Sequence, residues 1–216
     1  VSSKFYTAKK GELKNLLKSS SIDSLGYFYG SITKLLGFKP HNHEGKILGL
    51  AAYGNYKKSY KHISKMISYD KKQKCFKGNY EKGLYIANFV NPNLKFLNNL
   101  FSPADIAAAA QKRIEEVIIE FLKDNLHYKT NLALAGGIFA NVKINQKISE
   151  IKNVREIFVY PNMGDGGLSV GCGILSYNNI KKFKPRISPT MYLGPKYSEK
   201  YVLKILRNYK FLNYIK

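Results

Sequence analysis

Leu132–Ile148, LALAGGIFANVKINQKI, is an apolar run of four residues, a glycine pair and then an amphipathic stretch opened by Asn141. Such an order reads as strand, tight turn and helix, because glycine tolerates the backbone angles of the turn and asparagine favours a helix N-cap. Glycines at a strand–helix junction let backbone N–H groups come close to a phosphate, and the helix N-terminus adds partial positive charge. Gly136 and Gly137 are therefore candidate nucleotide-contacting residues, and Asn141 is a candidate amide donor to a ribose or phosphate oxygen. Plain packing at the glycines and simple capping by Asn141 stay open beside that reading. The segment is neither a Walker loop nor a GxGxxG fingerprint.

Working outward, the stretch Glu156 to Tyr160 reads as a second strand, followed by Pro161-Asn162-Met163-Gly164-Asp165-Gly166-Gly167 and a helix from Leu168 to Tyr177. An acid held among glycines after a strand can bind a metal or orient a polar substrate, or it can cap the following helix. Asp165 is the candidate metal ligand. Upstream, Ser102-Pro103 opens the longest predicted helix, ending about Leu126, with proline at its first position. The resulting β-α-β-α alternation predicts an α/β layer architecture.

Nearer the N-terminus, Ser24 is a plausible cap for a helix from Leu25 to Leu36, with apolar residues at helical spacing and Gly37 and Pro40 beyond it. The loop His41-Asn42-His43-Glu44-Gly45 leads to a short small-residue helix ending at Gly54, and a further helix is expected from Tyr56 to Tyr69. From Asp70 to Val90, Gly-punctuated aromatic residues, including Leu84-Tyr85-Ile86, suggest short strands. Val1 to Ser21 reads as an edge segment or linker. After Lys181, Pro185, Pro189 and Pro195 suggest another linker, and a helix is expected from Ser198 to Tyr209.

Bulk properties narrow the function class without naming it. A chain of 216 residues with 44% hydrophobic and 13% aromatic residues can bury one main core. Cys75 and Cys172 are far apart with no CxxC pairing, which points to neither a disulfide framework nor a zinc knuckle and makes a reducing cytoplasm the default. No apolar run approaches the ~20 residues needed to span a bilayer. The net charge of +22 is almost all lysine, with arginine only at Arg113, Arg155, Arg186 and Arg207. Nucleic-acid readers favour arginine's planar donors, so the spread of Lys with Asn, Ile and Tyr is better attributed to an AT-rich genome than to a nucleic-acid surface. His41 and His43 lack the ββα-metal surroundings of an HNH nuclease, and His62 and His127 are expected on solvated helix faces.

Five motifs, in order, carry a resemblance across nearly the whole chain: SLGYFYGSITKLLGF, HEGKILGLAAYG, LALAGGIFANVKIN, YPNMGDGGLSVGCGILSY and YLGPKYS. Together they resemble the O-carbamoyltransferases of the nodulation and cephamycin type, whose catalytic domain is similar to the tRNA threonylcarbamoyl transferase. The resemblance implies the second half of an actin-like, acetate/sugar-kinase (ribonuclease H-like) α/β domain, a mixed sheet flanked by helices, over residues 1–184. Residues 185–216 would be a linker and the start of a truncated YrdC-like domain. It further implies ATP-dependent transfer of a carbamoyl group from carbamoyl phosphate, through carbamoyl adenylate, to a hydroxyl of a small-molecule or saccharide acceptor.

By the same resemblance, Gly136, Gly137 and Asn141 hold the adenylate's nucleotide portion, and Asp165 ligates a divalent metal, iron by family likeness. The family's other ligands come from a His-x-x-x-His motif that this sequence does not contain. The expectation is an incomplete cytoplasmic enzyme, inactive alone, whose partners are a missing N-terminal half and the YrdC-like domain, with no membrane and no nucleic-acid role. Glu44 and Lys46 stand between an active-site and a helix-start role. Three alternatives remain: a kinase of the same superfamily, a tRNA-modifying or RNA-binding module, and a decayed or split gene product without activity, against which the intact Gly136-Gly137 and Asp165 motifs weigh.

Overall fold

A computed structural model describes residues 1–9, 12–79, 94–181, 191–192, 194–207 and 209. The chain divides into two compact units, Val1–Ser169 and Val170–Lys216. The expected boundary at 184/185 and the Leu84-Tyr85-Ile86 segment lie outside the described residues.

The first unit is mixed α/β. It opens with an antiparallel hairpin, β1 (Ser3–Lys9) and β2 (Glu12–Ser19), with a bulge between Phe5 and Tyr6. The expected edge segment is thus a paired element of its own. Phe5 anchors it edge-on against Phe121, with ring centroids 5.4 Å apart, and Ser19 Oγ accepts from the Phe76 N–H at 3.0 Å.

Five helices follow, and three of them, α1, α3 and α5, start at side-chain caps that the sequence supplies. In α1 (Leu25–Leu35), Ser24 accepts from the Tyr27 N–H, and Gly37 at φ 82° lies just beyond the C-terminal end. α2 (Glu44–Ala51) begins two residues earlier than predicted. α3 (Tyr56–Ile63) is capped by Asn55 and is shorter than the predicted helix to Tyr69. The chain instead turns into β3 (Ile67–Asp70), which pairs antiparallel with β4 (Cys75–Gly78). Ile67 and Tyr69 face inward while Ser68 faces out, an alternation of period 2 that a helix could not bury. After a short α4 (Phe96–Leu100), Ser102 caps α5 (Pro103–Asn125), with Pro103 inside its first turn as expected.

α5 is the spine of this unit. Its buried stripe includes Ile106, Ala110, Ile114, Val117 and Ile118, and it packs against α1, α2, α3 and α6. The small residues Ala107 to Ala110 permit close helix approach. Gly54 shows how close: a Cβ there would collide with the Ala104 carbonyl. Its role is this contact, since its backbone is not among the positive-φ glycines. Asp105 sits in the same junction, 5% exposed, accepting from the Asn55 N–H at 2.7 Å and from Lys58 Nζ at 3.0 Å. Those hydrogen bonds, first that from Asn55, hold its carboxyl below the usual range.

The α/β portion follows: β5 (Thr130–Leu134), α6 (Val142–Ser149) and β6 (Val154–Val159). β5 and β6 are parallel, and Leu134 and Val159 are the last register partners. Both strands therefore stop at the same level, and their outgoing loops start side by side. α7 (Leu168–Lys181) begins directly after the second loop and continues into the second unit. That unit also contains α8 (Glu199–Arg207), near the expected 198–209 span, with Tyr197 stacked on Tyr201 at 5.3 Å.

His62 departs from its expected solvated place. It is half-buried between Phe96 and Phe101, each 5.6 Å away, because α4 folds back over α3. Cys75 and Cys172 are free thiols. Among the described residues, no helix is long and apolar enough to cross a membrane.

Candidate functional site

The two loops that leave β5 and β6 meet. The Gly136 N–H donates to the Met163 carbonyl at 2.7 Å, so the glycine pair is tied by its backbone to the segment that carries Asp165. Ligands of open α/β sheets bind at the carboxyl ends of parallel strands, where these loops stand.

Each glycine here has a separate reason. Gly136 has φ 112° and ψ 153°, a conformation that side chains strain to adopt, whereas Gly137 has ordinary backbone freedom. A Cβ on Gly136, Gly137 or Gly164 would meet nothing within 4 Å, so the space above these residues is open. By contrast, a Cβ on Gly167 would collide with the Asn162 carbonyl, and one on Gly166 would crowd the Asn162 side chain. Those last two glycines let the acidic loop fold on itself.

Gly137–Ala140 form a 3-10 turn, and the leading N–H groups of such a turn lack an intrahelical acceptor. Asn145 Nδ2 steadies the turn by donating to the Phe139 carbonyl at 2.8 Å. Asp165 opens a second 3-10 turn, Asp165–Gly167. Its side chain is exposed, and among the described residues its carboxylate has no hydrogen-bond or ion-pair partner. The capping alternative for Asp165 is therefore not what the structure displays. Asp165 sits two residues beyond the carbonyl that receives the Gly136 N–H.

Asn141 does cap its helix. Its Oδ1 accepts from the Ile144 N–H at 3.2 Å, as its position in the sequence predicts. Its amide is also locked into a buried polar cluster invisible at the sequence level: Nδ2 donates to Gln111 Oε1 at 2.8 Å, and Gln111 Nε2 lies 3.3 Å from Asn141 Oδ1. Tyr29 donates its hydroxyl to the same Gln111 oxygen at 2.9 Å, and Gln111 Nε2 donates to Glu115 at 2.6 Å. Burial, then the charges of Glu115 and Glu44, push ionisation of the Tyr29 phenol well above its usual range. Gln111 has one legible signal in sequence, a polar residue on the α5 stripe that otherwise reads Ala107, Ile114 and Ile118.

The remaining candidates lie elsewhere in the first unit. Glu44 accepts from the His41 N–H at 2.6 Å across a turn in which His41 has φ 65°, a helix-start arrangement. Lys46 lies 5.8 Å from the Phe38 ring centroid. His43 Nδ1 accepts from the Lys39 N–H at 3.2 Å. Among the described residues, no three His, Cys, Asp or Glu side chains are grouped as metal ligands. One exposed carboxylate does not amount to a metal centre, so the described residues by themselves do not fit one. Arg113 is used up internally, its Nε donating to the Ile67 carbonyl at 2.8 Å.

A glycine turn and an acidic loop are thus joined at the carboxyl ends of two parallel strands in a mixed α/β unit. The chain belongs to the family described as Carbamoyltransferase N-terminus, whose model matches residues 2–174. Among curated relatives, an uncharacterized protein of Methanocaldococcus jannaschii is 34% identical over 175 residues, covering 77% of this chain and 33% of that protein. A second one from the same organism is 32% identical over 215 residues, covering 92% of this chain and 33% of the relative. The Nodulation protein NolNO of Sinorhizobium fredii is 25% identical over 195 residues, with 85% of this chain and 27% of that protein covered. The chain thus spans about a third of the length of the curated relatives it matches.

Proposed function

We propose that the joined loops form one wall of a carbamoyl-adenylate site in an O-carbamoyltransferase, within an actin-like domain that this chain supplies in part. Residues 1–184 would be the second half of that domain, and 185–216 the start of a YrdC-like domain. The observation that carries the reading is the Gly136–Met163 hydrogen bond, because it sets an open glycine pair beside an unpartnered carboxylate in a chain of this family.

In this reading the turn opened by Gly136 and Gly137 receives the adenylate phosphate, and Asn141 offers its remaining N–H to the nucleotide. Asp165 contributes one carboxylate to a divalent cation, iron by family likeness, whose other ligands lie outside these residues. In the overall reaction water releases orthophosphate from carbamoyl phosphate, and the carbamate oxygen then bonds to the α-phosphorus of ATP as pyrophosphate leaves, which gives carbamoyl adenylate. The acceptor hydroxyl oxygen, on a small molecule or saccharide, then forms a bond to the carbamoyl carbon as the bond from that carbon to the AMP phosphate oxygen breaks. The hydroxyl loses its proton and AMP leaves. The role of this chain's own residues is to hold the leaving AMP and align the carbamoyl carbon, which lowers the barrier by orientation.

Radiolabelled carbamoyl phosphate, supplied with ATP and candidate polyol acceptors to the whole protein that contains this chain, provides the test. Label should pass to acceptor with AMP release, and Asp165→Ala should abolish transfer while leaving the fold intact. Undiminished turnover in that variant removes Asp165 from the chemistry.

A further inference from the structure

Resting on the nucleotide reading above, we infer that Gln111 and Glu115 of α5 are positioning residues that, together with the Ile144 N–H, hold the Asn141 amide in one direction. A side-chain amide has two nearly identical ends, so its direction is decided by its partners. Here one partner is unambiguous: an ionised carboxylate only accepts, so Glu115 must meet the Nε2 end of Gln111. The Gln111 oxygen is then turned toward the Tyr29 hydroxyl and Asn141 Nδ2, and accepts from both. Tyr29, held as a phenol, supports the same direction. Gln111 is 7% exposed, and its donors and acceptor are all engaged, so it has no low-cost alternative orientation.

The consequence reaches the glycine turn. With Gln111 fixed, Asn141 Nδ2 faces the cluster with one N–H, and Oδ1 accepts from the Ile144 N–H. One Nδ2–H is left without an acceptor, on the residue that directly follows the Gly137–Ala140 turn. Were the Gln111 amide reversed, its NH2 would stand against Asn141 Nδ2 and its oxygen against Asn141 Oδ1, so Asn141 could keep the pair only by turning its own amide and giving up the α6 cap. The carboxylate on α5 and the Ile144 N–H of α6 thus favour the same direction of the Asn141 amide, one from each side.

The experiment uses AMP as the probe and measures its affinity for the whole protein that contains this chain by calorimetry, beside the melting temperature. Glu115→Gln is isosteric and removes the fixed direction, since glutamine can donate as well as accept. Asn141→Ser keeps a good helix cap but lacks the amide N–H. Each variant alone should weaken AMP binding roughly 3- to 10-fold, as for one net hydrogen bond, with little change in melting temperature.

The decisive comparison is the double variant. Its affinity should match that of Asn141→Ser, because Glu115 acts only through Asn141. Unchanged affinity in Glu115→Gln, or losses that multiply in the double variant, would overturn the positioning role while leaving the nucleotide site standing. Failure of the unsubstituted protein to bind AMP is a different result, visible before any variant is made, and it removes the nucleotide reading together with this inference.

Discussion

The two sides of α5 are built to opposite ends. Toward α1, α2 and α3 it closes a core in which Phe28, Ile32, Ile47 and Ile63 are fully buried and Gly54 leaves no room for a methyl group. Toward α6 it stands beside loops whose Gly136, Gly137 and Gly164 look into open space and whose acid is unpaired. On the closed side the Asp105 carboxylate is satisfied locally by Asn55 and Lys58. On the open side Asn141 joins the Gln111 cluster and Asp165 stays available. The contrast teaches that stability and ligand contact are separable in this fold, because substitutions on one side of α5 need not be felt on the other.

That separation can be broken or sharpened by a graded series. The largest effect is expected from Phe28→Ala, which removes a fully buried ring: about 3–5 kcal/mol of stability by chemical denaturation. Gly54→Ala should follow, at about 1–3 kcal/mol for a forced overlap with the Ala104 carbonyl, read by the same denaturation midpoint. Gly136→Ala should cost about 1–3 kcal/mol through its backbone angle alone, and it would also disturb the tie to Met163.

Gly137→Ala is the sharpest case. The methyl group meets nothing and the backbone is permissive, so stability should change by less than about 0.5 kcal/mol while AMP affinity falls. A large stability loss there would mean that the turn belongs to the core rather than to the ligand.

The smallest effect concerns acid. The Asp105 carboxyl titrates below its ordinary value in the folded chain, so its contribution is present above that ordinary value and is lost as pH falls through the folded value. Asp105→Asn should flatten the loss of stability below about pH 4, the ordinary carboxylate value. A denaturation series across that range measures the slope, and an unaltered slope would remove Asp105 from the acid response.

Local signals in the sequence were legible where a single residue acts on its neighbours. Ser24, Ser102 and Asn141 cap the helices they precede, and Pro103 opens α5. The error over Tyr56 to Tyr69 has a physical source: Tyr60, Ile63 and Ile67 fit a helical stripe, while the alternation in Ile67–Asp70 is too short to compete with it. His62 was misplaced because its aromatic neighbours Phe96 and Phe101 lie more than thirty residues away.

The candidate site was half legible. Composition placed glycines and an acid after two strands, but only the register of Leu134 with Val159 brings those loops level, and register is a long-range property. The Gln111 cluster depends on three separated segments and leaves only one out-of-place polar residue as its trace.

The central claim is that the two loops form a single nucleotide-contacting surface. Backbone amide shifts of the isotope-labelled whole protein that contains this chain, followed during an AMP titration, test it most directly. Gly136, Gly137, Gly164 and Asp165 should move together along one binding isotherm, with the α3 amides still. Saturable shifts confined to other residues, or movement of one loop without the other, would contradict it.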